Sequence, residues 1–135
     1  MIKIHLISAG LKGGPLPKAD HYLDCRVIPN PHHALGGEVG GSPKLRAWVM
    51  EHGERWVKRY AHDVVDGLSN MVPRRRGESN PYARPYTVCC FCAYGQHRSP
   101  TMKWLLSEQI LTAAKSAGII SPISIIVDPT PELHA

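Results

Sequence analysis

Apolar and polar residues alternate through Ile2-Lys3-Ile4-His5-Leu6-Ile7-Ser8, the period-two pattern of a strand with one face in a core. Gly10, Gly13, Gly14, Pro15 and Pro17 then interrupt any regular period and predict a long loop. Tyr22 to Ile28 reads as a second strand. Pro29-Asn30-Pro31 ends it sharply, because each proline lacks a donor and restricts the residue before it. His32 and His33, followed by Gly36-Gly37 and Gly40-Gly41, predict a flexible polar loop.

The period changes at Ser42-Pro43, where a capping hydroxyl precedes a proline suited to a first helical turn. From there Leu45, Trp48, Val49, Trp56, Val57, Tyr60, Val64, Val65 and Leu68 recur at steps of three and four, the core stripe of a helix. Gly53 interrupts the stripe and predicts that two helices meet there. Residues 72–84 are polar and predict a loop. Tyr86 to Phe91 reads as a third strand, Met102 to Ala117 as an amphipathic helix stopping near Gly118, and Ile123 to Val127 as a last short strand. Strands alternating with helices predict an α/β fold: one layered domain over residues 1–135, with a small, largely parallel sheet flanked by helices.

Composition narrows the function classes. No apolar run approaches the roughly 20 residues of a membrane span, and Met1-Ile2-Lys3-Ile4 runs straight into a strand. A cytoplasmic chain without a leader or membrane partner is expected. Cys25, Cys89, Cys90 and Cys92 lie in strand-like segments rather than in a spaced disulfide framework, so free thiols are expected. The formal charge of +5 favours anionic partners without choosing between phosphorylated metabolites and nucleic acid. Arg74-Arg75-Arg76 reads either as a solvated loop or as an RNA or phosphate contact. Self-association is left open, and no cofactor is implied.

The chemistry concentrates in Phe91-Cys92-Ala93-Tyr94-Gly95-Gln96-His97-Arg98-Ser99-Pro100. A strand, a short polar loop and a helix in that order aim backbone N–H groups and a helix dipole at an anion. Ser99 reads as the N-cap and Pro100 as the first helical residue, while Arg98 adds a fork of donors matched to phosphate oxygens. His97 is suited to donate to phosphate, orient Arg98 or cap the helix. Gln96 and Gly95 complete the cradle. Asp24 and Arg26, two apart on one strand face, either meet a ligand together or pair with each other. Because Pro29-Asn30-Pro31 and Cys92 to Ser99 both follow strands of one parallel sheet, Asn30 and His32 should face the crevice that holds Arg98.

The spelling Cys-x2-Gly-x2-Arg-Ser also resembles the phosphate cradle of cysteine-dependent phosphatases. On that alternative reading Cys92 is a thiolate nucleophile, Arg98 the phosphate clamp, and Asp128 or Asp24 the general acid. Cys90, Cys92, His97 and His32 suggest a metal reading, but their spacing fits no standard zinc motif, so no metal is expected.

Three stretches carry a wider resemblance: Ser8-Ala9-Gly10-Leu11-Lys12-Gly13-Gly14-Pro15-Leu16-Pro17-Lys18-Ala19-Asp20, then Asp24-Cys25-Arg26-Val27-Ile28-Pro29-Asn30-Pro31-His32, then Cys92 to Ser99. In this order the chain resembles the C-terminal domain of the RNase adapter protein RapZ, and a stand-alone domain without the N-terminal kinase-like domain is expected. The resemblance implies binding of an amino-sugar phosphate, glucosamine 6-phosphate, and an RNase-adapter role with RNA as partner. It implies that Asp24, Arg26, Asn30 and His32 line the pocket, with Cys92, Gly95, Gln96, His97, Arg98 and Ser99 beneath the phosphate. Ala93-Tyr94 departs from the family's usual Thr-Gly and should reshape the sugar pocket. No Gly-x4-Gly-Lys-Ser/Thr nucleotide loop occurs, and residues 128–135 carry no lysine or arginine in place of the family's basic tail.

Overall fold

The computed structural model describes residues 1–70 and 84–129. Four strands form one all-parallel sheet: β1 (Ile2–Gly10), β2 (His21–Asp24), β3 (Tyr86–Cys92) and β4 (Ile123–Val127), in the order β2-β3-β1-β4. Between them lie the short helix α1 (His32–Leu35) and the long helices α2 (Pro43–Ser69) and α3 (Arg98–Ser116).

The alternation read in the sequence sorts the sheet's faces. Ile2, Ile4 and Leu6 of β1 and Val88, Cys90 and Cys92 of β3 share a single core with Val49, Val57, Val64 and Leu68 of α2 and Met102, Leu106 and Ile110 of α3. Both long helices therefore cover the same face, giving two layers. Lys3, His5 and Thr87 point from the opposite face.

Local chemistry explains the boundaries. Ser42 Oγ accepts from Leu45 N–H at 3.2 Å and caps α2, with Pro43 in its first turn. Gly53 leaves the helical basin (φ −143°, ψ 23°) and kinks α2, as the broken stripe predicts. A Cβ there would come within 3.3 Å of Ile28 Cγ1, so the bare kink also lets the helix settle on the loop after β2. Gly118, at φ +79°, ends α3 in a Schellman turn: its N–H donates to Lys115 O and Ile119 N–H to Ala114 O.

Two boundaries around β2 differ from the sequence reading. β2 stops at Asp24, not Ile28, because the Asp24 carboxylate accepts Arg26 N–H and starts a 3₁₀ turn over Cys25–Val27. The segment after Pro31, expected to be an irregular loop, opens with α1; Asn30 Oδ1 accepts His32 N–H at 3.0 Å and starts it.

Candidate functional site

β3 delivers Cys92 to the carboxyl edge of the sheet, opposite Gly10 of β1. The chain then turns through Ala93 to His97. Gly95 sits at φ +72° and donates its N–H to Cys92 Sγ at 3.2 Å. A Cβ on Gly95 would lie 2.7 Å from Gly10 N, and one on Gly10 would lie 2.4 Å from Tyr94 C. Bare backbone is therefore required on both sides of this crossing, which pins the loop to the end of β1.

Helix α3 begins at Arg98 with His97 at the N-cap, so Ser99 is not the cap that its place before Pro100 suggests. It is fully buried, and its Oγ lies 3.2 Å from Cys92 Sγ and 3.3 Å from Ala9 O. A hydroxyl has one proton, which goes either to the Ala9 carbonyl or to the sulfur. Pro100 offers no N–H, so the donors left free by the helix's first turn are the amides of Arg98 and Ser99.

The loop after β2 closes the other side. Arg26 grips Asp24 with Nε (2.9 Å) and Nη2 (2.8 Å), and this pairing holds the Asp24 carboxyl below the usual range. The 3₁₀ turn, rather than a shared strand face, brings the two together. Arg98 Nη1 donates to Ile28 O at 3.2 Å and lies 3.4 Å from Arg26 O, lacing the two loops to each other. His97 Nε2 donates to Gly36 O at 3.1 Å, which puts the ring proton on Nε2 and leaves Nδ1 as the second site. A Cβ on Gly40 would meet Gln96 O at 2.5 Å, so the segment after α1 also rests directly on the β3–α3 loop.

These contacts enclose a cavity of about 370 Å³ lined by Asn30, His32, Cys92, Tyr94, Gln96, His97 and Arg98. Asn30 and His32 thus reach the same crevice as Arg98. Gly95 and Ser99 contact Cys92 and support the loop without lining the cavity. Asp24 and Arg26 are committed to each other at its edge and are absent from the lining. Tyr94 lines the cavity, at the Ala93-Tyr94 pair expected from the sequence to reshape the pocket.

Asp128, the alternative general acid, is not among the lining residues. Its N–H donates to Leu6 O at 3.0 Å, several residues before the Gly10 end of β1, and its Oδ1 accepts from His5 Nε2 at 2.5 Å. Lys103, which sequence reading left unremarked, is fully buried and donates Nζ to Asp128 O at 2.6 Å. All four cysteines are free. Among the described residues no group of three or more His, Cys, Asp or Glu is arranged to hold a metal. Arg74, Arg75 and Arg76 lie outside the described residues.

The chain is 32% identical over 109 residues to a nucleotide-binding protein of Myxococcus xanthus, covering 79% of this chain and 36% of that protein. It is 35% identical over 109 residues to a nucleotide-binding protein of Thermus thermophilus, covering 79% and 38%. A nucleotide-binding protein of Rubrobacter xylanophilus is 34% identical over 111 residues, covering 81% and 35%. The chain thus spans little more than a third of the length of these relatives. Residues 2–119 match the family model described as the RapZ C-terminal domain.

Proposed function

The chain belongs to the RapZ C-terminal domain family, and on that premise we propose that it binds a phosphorylated small molecule in the cavity between the β2–α2 connection and the β3–α3 loop. One observation carries this reading. Arg98 is anchored through Nη1 to the backbone of the opposite loop, while its Nε and Nη2 make no hydrogen bond to the described residues. A guanidinium held from behind and facing a cavity presents its remaining donors to an anion at little entropic cost. The free amides of the α3 first turn supply further donors.

Within that class, the ligand is an amino-sugar phosphate such as glucosamine 6-phosphate. The polar side chains of Asn30, His32 and Gln96 suit sugar hydroxyls, and the cavity is within the range of small-molecule sites. The relatives carry the name nucleotide-binding, but this chain corresponds to only a third of them and has no Gly-x4-Gly-Lys-Ser/Thr loop. An RNase-adapter role with RNA as partner follows from the family alone and would fall to Arg74, Arg75, Arg76 and the net charge.

A second reading rests on Cys92. Gly95 N–H points at its sulfur and the Ser99 hydroxyl can turn to it, two donors that would stabilise a thiolate nucleophile in a cysteine-dependent phosphatase. Among the described residues no carboxyl lines the cavity as general acid, so binding without turnover ranks first.

Titration calorimetry with inorganic phosphate, glucosamine 6-phosphate and nucleoside monophosphates, on the wild type and Arg98→Lys, tests the binding reading. Lysine keeps the charge but loses the fork, so affinity should drop about tenfold or more. Equal affinity in a folded Arg98→Lys would remove Arg98 from the site. Steady hydrolysis of an aryl phosphate, abolished in Cys92→Ser, would put the phosphatase reading first.

A further inference from the structure

Tyr94 is the most exposed aromatic among the described residues at 66%, and it lines the cavity. Tyr22 follows at 43% but is tied down: its hydroxyl donates to Pro17 O at 2.7 Å and accepts from Ala19 N at 2.9 Å. The Tyr94 hydroxyl makes no hydrogen bond to the described residues. A large ring left in water forgoes the stabilisation that burial gives.

The backbone under the ring is fixed on both sides. Lys12 N–H donates to Ala93 O at 2.9 Å, Tyr94 C sits against Gly10, and Gly95 N–H is bonded to Cys92 Sγ. The ring therefore has only its two side-chain torsions to order when something stacks on it. The Lys12 ammonium lies over the ring, 5.9 Å from its centroid, and adds positive charge beside it. Asn30, His32, Gln96 and Arg98 offer hydrogen bonds to the rest of the cavity; Tyr94 offers it an apolar plane.

We propose that Tyr94 is a stacking platform, and that the ligand is a phosphate monoester whose organic part carries a ring with a flat apolar face. This rests on the phosphate reading of the cavity and narrows it. A pyranose and a nucleobase share that chemistry; an open-chain ester does not.

Four probes separate the cases: inorganic phosphate, glycerol 3-phosphate, glucosamine 6-phosphate and a nucleoside 5′-monophosphate, titrated by calorimetry against the wild type, Tyr94→Phe and Tyr94→Ala. Tyr94→Ala should weaken a ring-bearing ester about 5- to 100-fold while leaving inorganic phosphate and glycerol 3-phosphate unchanged. Tyr94→Phe should bind as the wild type does. The ring ester that binds more tightly and loses more in Tyr94→Ala identifies the source of the plane. Equal losses across all four probes would make Tyr94 a support of the phosphate loop and overturn the platform, as would an undiminished ring ester. Wild-type binding to none of the four would remove the phosphate reading itself.

Discussion

Two polar clusters flank the amino-terminal part of α3, and each contains a cation donating to a backbone carbonyl. In one, Arg98 reaches Ile28 O and still faces a cavity of about 370 Å³. In the other, Lys103 is fully buried against Asp128 O, and the Asp128 carboxylate is occupied by His5. The first corner is open and keeps donors in reserve; the second has spent its main-chain acceptor and its carboxylate internally. A charged side chain with its partner supplied by the fold is part of the architecture, whereas one held from behind with donors to spare is equipped to bind.

The largest test of this contrast is Lys103→Ala. It empties a packed site and leaves Asp128 O without its donor, so equilibrium urea unfolding should show a loss of about 2–4 kcal/mol. Phosphate affinity of the folded variant should be unchanged. Lys103→Met, which keeps the volume and removes the buried charge, should recover most of that loss. Phosphate affinity falling with Lys103 would join the two corners into one site.

Arg98→Ala should do the reverse. Loss of its carbonyl bonds costs about 1 kcal/mol of stability, while affinity for inorganic phosphate falls at least about tenfold by calorimetry. A stability loss as large as that of Lys103→Ala, without any change in affinity, would move Arg98 to the architectural side.

Alkaline pH sharpens the contrast, because burial lowers the pKa of Lys103 while it raises those of Cys25, Tyr60, Tyr86 and Cys89, with Cys89 reaching about 11 and Tyr60 about 12. The unfolded chain releases the cysteine and tyrosine protons near their ordinary values of 9.0 and 10.0, before the folded chain does. Stability should therefore fall as pH rises from about 9 towards 12. Lys103 opposes this: the unfolded chain holds that proton more tightly, so its contribution improves as pH approaches 10.5. Urea midpoints between pH 8 and about 10.5 should decline in the wild type and more steeply in Lys103→Met. Parallel slopes would mean that Lys103 does not titrate differently on folding.

Smaller effects are expected further out. The His5–Asp128 pair is partly exposed, so Asp128→Asn should cost no more than about 1 kcal/mol and leave phosphate affinity unchanged. Any aryl phosphate hydrolysis that vanished with Asp128 would make the closed corner catalytic. The smallest change should come from replacing Arg74, Arg75 and Arg76 with alanine: RNA binding by this chain should be weak, and its salt dependence should flatten by at most about two to three units.

Most of the sheet and both long helices were legible in the sequence because their core positions recur at steady steps, broken within α2 at Gly53. The Gly53 kink, the Ser42 cap and the Gly118 stop each come from one residue whose chemistry overrides its neighbours. β2 was read too long because Cys25 to Ile28 keeps a strand-like apolar pattern, while a single bond from Arg26 N–H to the Asp24 carboxylate ends the strand. Ser99 misled for a similar reason. Next to Pro100 it has the spelling of a cap, but its hydroxyl is consumed by Cys92 and Ala9, atoms that only the tertiary fold brings near. Lys103 was overlooked although it shares the core spacing of Leu106 and Ile110; a lysine on an apolar stripe signals a buried cation. The meeting of Asn30 and His32 with Arg98 was readable from topology, since parallel strands bring their following loops to one edge.

The register of β1 has a kinetic consequence. This strand pairs only with partners far along the chain: Ile4 with Tyr86, and Ile2 with Ile123. The loop that carries Tyr94 and Gly95 is seated against Gly10, at the end of the same strand. The cavity therefore has no counterpart in any locally folded fragment and comes into being only when the distant segments close. An occupant cannot guide the chain toward that closure; it can only hold the finished structure together. Added ligand should slow unfolding and leave the folding rate untouched.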